Sequence, residues 1–167
     1  MPIRRFSIGL AIASIFMIGI WLVGSVPQAV AETLNFKQFN RMTKREAFPI
    51  PGGEASLWVR EGVVILESGE LAWTKIFAFD EMTQGAGTFI AYTTWTFQDG
   101  STITQHSKGT YGGGSAKRTG EIIDGTGRFQ GIKGTVTTSS KFLQREQGEP
   151  GPKALGEGTM VYTLPSK

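Results

Sequence analysis

Four glycines fall within the segment Asp124-Gly125-Thr126-Gly127-Arg128-Phe129-Gln130-Gly131-Ile132-Lys133-Gly134, and one large apolar side chain, Phe129, sits among them. Glycine adopts positive φ without steric cost and lets another backbone approach closely. A segment this rich in it, between two strand-like runs, turns sharply more than once while an aromatic ring stays buried. That combination suits a corner of a small antiparallel barrel, where kinks and bulges bend the sheet. It suits phosphate binding poorly. A dinucleotide fingerprint needs G-x-G-x-x-G leading into a helix, whereas three residues separate Gly127 from Gly131. A P-loop needs Gly-Lys-Ser/Thr, and Lys133-Gly134-Thr135 has the order wrong.

The N-terminal segment reads as a leader. Arg4 and Arg5 precede an almost wholly apolar run from Ile8 to Val26, and Ala29-Val30-Ala31 stands directly before Glu32. Basic start, apolar stretch and small-x-small site are the layout of a secretory signal peptide. The same run is long enough to span a bilayer as an uncleaved anchor, but the small-residue site favours cleavage after Ala31. Phe6 and Ser7 do not continue the arginine pair as a twin-arginine signal would, which favours the general secretory route. The expected location is therefore secreted or periplasmic, with a membrane partner only if the segment stays attached. The expected organisation is a signal peptide over 1–31, an N-terminal strand and loop over 32–54 that join the barrel, and a β-barrel domain over 55–167.

Arg4 and Arg5 belong to the leader, so the 17 Lys and Arg against 14 Asp and Glu leave a nearly balanced remainder. No Lys/Arg run exceeds two residues, and nucleic acid is not an expected partner. The chain has no cysteine, which excludes disulfides, a thiol nucleophile and thiolate metal ligands. An exported domain without staples depends on its hydrophobic core, and this chain is long enough to build one. A single histidine and no acidic cluster make a metal site unexpected, and no cofactor is implied. Ser115 lacks the G-x-S-x-G elbow of a serine hydrolase.

Beyond residue 31, period-two alternation dominates and helical periodicity is almost absent. Leu34 and Phe36 open a strand that ends before Pro49-Ile50-Pro51-Gly52-Gly53. Leu57-Trp58-Val59 and Val63-Val64-Ile65-Leu66 follow, separated by Glu61-Gly62. The next strand is apolar on both faces, with Leu71, Trp73, Phe77 and Phe79 on one and Ala72, Ile76 and Ala78 on the other. Between Thr88 and the following strand lies Gln98-Asp99-Gly100-Ser101, the preferred composition of a two-residue hairpin turn. That turn predicts Phe97 opposite Thr102, Trp95 opposite Thr104 and Thr93 opposite His106. The face with Phe89, Ala91, Thr93, Trp95 and Phe97 is the more aromatic and is assigned to the interior, with Thr102, Thr104 and His106. A slip of one residue would exchange the partners. Strands at 115–123, 135–145 and 155–164 bring the total to roughly eight, at spacings typical of an all-β barrel or sandwich.

Gly125-Thr126-Gly127-x-Phe129-x-Gly131-x-x-Gly134, flanked by strands, resembles the signature of the allene oxide cyclase and dirigent barrel superfamily. The resemblance covers this segment directly and the strand layout of 55–167 more loosely; Asp124 stands where a further glycine is usual. It implies an all-β, calycin-like, eight-stranded antiparallel barrel with an apolar central cavity, Phe129 plugging one end, and frequent assembly into homo-oligomers. A lipocalin-like barrel or a sandwich is the alternative. The plant cyclases rearrange a lipid epoxide, and dirigent proteins orient phenoxy radicals without oxidising them. Their acidic and basic site residues do not map by motif onto this chain, and the missing cysteines remove both a cyclase cavity group and the usual dirigent disulfide.

The expected ligand is therefore a small hydrophobic or aromatic molecule, bound or conformationally guided without covalent chemistry. Candidate lumen residues are His106, Trp95, Phe97, Thr104 and Trp73, with Gly125, Gly127, Phe129, Gly131 and Gly134 as the structural motif. His106 is the one side chain with an ordinary pKa near neutrality; a solvent-facing strand histidine is the competing reading. Lys117-Arg118, Lys141 and Arg145 read as solvated strand ends, and Tyr92 and Tyr111 as outward or rim residues. An isomerase or cyclase using His106 or a buried carboxylate is the alternative function, and an oligomerising barrel with a filled core is another.

Overall fold

The computed structural model describes residues 30–166, so the expected leader lies almost entirely outside the described residues. The chain folds into eight strands: β1 (Glu32–Ile50), β2 (Gly53–Leu66), β3 (Leu71–Thr83), β4 (Ala86–Phe97), β5 (Thr102–Gly112), β6 (Ser115–Gly125), β7 (Lys133–Phe142) and β8 (Ala154–Thr163). Each pairs antiparallel with the next, and β1 pairs with β8 to close the barrel. Closure leaves no exposed sheet edge. It joins the two ends of the barrel domain directly, with Glu32 opposite Tyr162 and Asn40 opposite Ala154.

Leu57-Trp58-Val59 and Val63-Val64-Ile65-Leu66 are parts of one strand, β2, and Glu61-Gly62 is no turn. Gly62 sits where β1 passes so close that a Cβ would run into the Phe39 carbonyl. β1 pairs along all of β2, with a bulge between Met42 and Lys44 that bends it.

On β3 the burial alternates without a break: Ala72, Thr74, Ile76, Ala78 and Asp80 point inward, and Trp73, Phe77 and Phe79 point outward. The aromatic face of that strand is thus the outer one. An eight-stranded barrel has a narrow interior, filled by side chains or wide enough for one small ligand. β4 already sends Phe89, Trp95 and Phe97 into it, so its neighbour β3 contributes the smaller set. The lumen placement expected for Trp73 is corrected accordingly, because Trp73 is 68% exposed.

The β4–β5 hairpin carries a second correction. Its loop has three residues, Gln98, Asp99 and Gly100: the Phe97 amide donates to the Ser101 carbonyl (2.9 Å), and the Gly100 amide to the Phe97 carbonyl (3.0 Å). Gly100 has φ +81 whereas Asp99 is not in the left-handed region. This is a type I turn closed by a glycine bulge, not the two-residue mirror-image turn. Asp99 stabilises it locally, accepting from the Ser101 amide and hydroxyl, both at 3.0 Å. The extra loop residue moves every partner by one. Trp95 faces Ile103, Thr93 faces Gln105, and Tyr92 faces His106. Ile103, Gln105 and Ser107 therefore line the interior, while Thr102, Thr104 and His106 turn outward.

One end of the barrel is sealed. The glycine-rich corner between β6 and β7 forms a single 3-10 turn, Gly127–Phe129, and drops Phe129 into a cluster with Phe97, Trp95, Phe36, Ile132 and Tyr162. The Phe129 and Phe97 rings lie 4.8 Å apart, and the Arg128 guanidinium covers both from outside, at 4.7 and 4.8 Å from their centroids. Gly131 holds φ +77 where the chain folds back, and Gly125 lies too close to the Phe129 backbone for any Cβ.

Candidate functional site

The other half of the barrel is open inside. A cavity of about 310 Å³ runs down from the end that carries the β1–β2, β3–β4, β5–β6 and β7–β8 connections. Met42, Trp58, Ile76, Phe89 and Phe142 give it apolar walls, and the Pro150-Gly151-Pro152 part of the β7–β8 loop leans over its mouth. Inward positions of the strands supply the apolar walls, so the alternation that builds the core also builds the cavity.

Among the ionisable side chains that line this space, three are at least nine-tenths buried: Asp80 from β3, Arg60 from β2 and Arg118 from β6. Asp80 sits opposite Ser56 across the β2–β3 pair. Its carboxylate accepts from the Ser56 hydroxyl, from the Trp58 indole N–H at 2.8 Å and from the Tyr111 hydroxyl. Burial, and then the bond to Asp80, push the Tyr111 phenol well above its ordinary value. Tyr111 also stacks on Phe89, with centroids 5.7 Å apart. The rim is thus a rigid unit of one carboxylate with three donors that hold it.

Arg60 donates to the Pro152 carbonyl at 2.8 Å and lies 5.4 Å from the centroids of both Trp58 and Phe142. It ties the β7–β8 loop to the barrel wall. Burial lowers its pKa to about 10, opposed by the nearby negative charge of Asp80. Arg118 donates to Thr93 Oγ1 at 2.8 Å and to Gln38 Oε1 at 3.3 Å, and Gln38 in turn donates to Ser140 at 3.3 Å. Both acceptors of Arg118 are neutral, and desolvation alone brings its pKa down to about 10. Deeper in, between cavity and sealed end, Gln105, Thr74 and the Trp95 indole N–H form a buried polar band with no hydrogen-bond partner on either Gln105 amide atom.

Of the five lumen candidates, Trp95 and Phe97 are inside, but in the sealed-end cluster below the cavity. Thr104 bonds outward to Thr94 at 3.3 Å, and His106 packs at a tilt against Tyr92 outside the barrel, centroids 4.8 Å apart. Neither reaches the lumen, and Trp73 is outside as well. Arg118, read from the sequence as a solvated strand end, is in the interior, while its neighbour Lys117 is exposed. The charged lining residues carry a sequence signal that is easy to pass over. Arg60 lies two residues after the inward Trp58, and Asp80 two after the inward Ala78. A charge at an inward register position of a barrel strand is costly unless it has a partner or a purpose.

No family model matches the chain, and no curated protein sequence matches it. Solved structures do. The pterocarpan synthase dirigent protein GePTS1 superposes with a TM-score of 0.51 over 91% of this chain and 99% of its own, at 17% identity. The pterocarpan synthase dirigent protein PsPTS1 gives 0.49 over 83% and 99%, at 16% identity. In fold, the chain is a closed eight-stranded antiparallel barrel, as that dirigent protein with a TM-score of 0.51 is.

Proposed function

We propose that this protein holds a small apolar or aromatic molecule in the open half of its barrel and fixes that molecule's conformation without forming a bond to it. The observation that carries this reading is the cavity: mostly apolar walls, with a few polar groups held rigid at fixed places, is the composition of small-molecule sites. The sealed lower half makes it a pocket with one mouth, so a bound molecule enters and leaves past the Pro150-Gly151-Pro152 loop. The fold shared with a dirigent protein is consistent with guidance over turnover, but fold alone does not assign chemistry. Residues 1–31 act as a leader in this reading, and the ligand is met outside the cytoplasm; a mature N-terminus at Glu32 checks that part. Native mass spectrometry of protein taken from its source is the primary test. A co-purifying small molecule displaced by Trp58→Ala supports the reading, and a ligand unaffected by any lumen substitution sinks it.

Should turnover of a substrate be found, Asp80 and Tyr111 are the groups positioned to move a proton in the cavity, and His106 is not. Loss of turnover in Asp80→Asn with none in His106→Ala is the expected pattern. A second reading concerns the outer wall. Leu57, Phe79 and Ile90 align across β2, β3 and β4, as do Val59, Phe77 and Tyr92. Most of these side chains are more than a third exposed, and a continuous apolar sheet face of this kind marks an interaction surface. We assign it to contact between copies of this chain. Sedimentation that finds only monomer at all concentrations would remove this assignment.

A further inference from the structure

We infer that the molecule held in the lumen is a monoanion, an apolar or aromatic body bearing one carboxylate that docks on the Arg118 guanidinium. This rests on the lumen being a binding site and adds the chemical class of its occupant. Arg118 faces the cavity yet is only 9% exposed. Among the described residues no carboxylate lies within ion-pair distance of it; the acid–base pairs are Arg45–Glu54, Lys75–Glu61, Arg128 with Glu70 and Asp99, and Lys153 with Glu146 and Glu149. A buried charge without a counter-charge is costly, and chains retain one where something compensates it.

The surroundings narrow that compensation. Asp80 offsets one of the two buried guanidinium groups, as its raising influence on Arg60 shows. Of those two buried groups, Arg118 is left without a counter-charge, and a single acid group answers it. Thr93 and Gln38 hold two corners of the Arg118 fork and leave the planar group fixed. A planar carboxylate fits such a fork. Thr138, directly across the β6–β7 pair from Arg118, has a buried hydroxyl without a partner and lines the same cavity. It offers a donor to the second acid oxygen. Opposite them, Trp58, Ile76 and Phe89 provide an apolar bed for the rest of the molecule. Arg145 stands at the mouth and adds a positive charge on the way in.

The test compares matched pairs, trans-cinnamate with trans-cinnamyl alcohol and decanoate with decanol, by calorimetric titration of the purified protein. The acids should bind about tenfold or more tighter than their alcohols. In Arg118→Met that preference should vanish while the alcohols still bind, and the variant's Tm should not fall, because an uncompensated buried charge is replaced by an apolar chain of similar length. Arg118→Lys should retain part of the preference. Equal binding of acids and alcohols to the unsubstituted protein overturns the charge assignment and leaves the lumen reading standing; this comparison needs no variant. An acid preference that survives Arg118→Met overturns the role of Arg118. If neither acids nor alcohols bind, the lumen reading itself fails and the anion proposal with it.

Discussion

At the scale of single residues, Asp80 is the side chain with the most at stake. It satisfies Ser56, Trp58 and Tyr111 at once, and its negative charge raises the Arg60 pKa against the desolvation that lowers it. In Asp80→Asn the amide turns a donor toward groups that are themselves donors, and Arg60 loses its counter-charge. We expect a loss of about 2–3 kcal/mol, since hydrogen bonds to charged groups are the strong ones and orphaned donors add to the cost. Tyr111→Phe removes one of the three donors and should cost about 1 kcal/mol. Urea unfolding followed by circular dichroism ranks the two, and equal costs would show that the carboxylate is not the centre of the unit. His106→Ala should change stability by less than about 0.5 kcal/mol, as substitutions of exposed residues away from special features do.

At the scale of elements, two turns decide the architecture by different routes. The β6–β7 corner depends on Phe129: cutting it back to Ala should cost about 3–5 kcal/mol, the usual range for emptying an aromatic site in a core. Gly131→Ala should cost about 1–3 kcal/mol, because it forces an L side chain into φ +77. Thermal unfolding of the two variants measures both, and a tolerant Phe129→Ala would mean the lower lumen is sealed without it. This corner could be read from the chain because its glycines and its aromatic are local. The β4–β5 turn could not be read fully. Asp99-Gly100 is compatible with a two-residue or a three-residue loop, and the choice between them exchanges Ile103, Gln105 and Ser107 for Thr102, Thr104 and His106 on the inner face. One residue of loop length removed the histidine from the cavity.

For the whole molecule, closure makes stability respond to alkali. The folded-state pKa of Tyr111 is raised above its ordinary value of 10, and that of Tyr162, beside Glu32 at the β1–β8 seam, is raised to about 12, burial being the first cause in each. A raised phenol favours the folded state while it stays protonated. The contribution is complete below about pH 10 and is lost above it, where the unfolded chain releases protons that the barrel retains. Guanidinium unfolding at rising pH should show stability falling from about pH 10 upward, with phenolate absorbance from Tyr111 appearing only on unfolding. Replacing Tyr111 and Tyr162 by Phe should flatten that dependence; an unchanged pH profile would refute the assignment.

The alternation of apolar residues, the leader-like start and the glycine corner were all legible in the amino-acid sequence, because each is a local pattern with a local physical cause. They sufficed for the all-β class, the approximate strand count and the barrel family resemblance. Which face of β3 turned inward was settled only by the closed barrel, whose narrow interior already takes the large rings of β4. The meeting of β1 with β8, and of Asp80, Arg60 and Arg118 in one cavity, joins positions far apart in the chain. No local pattern encodes such distant pairing, and it follows only from closing the sheet on itself.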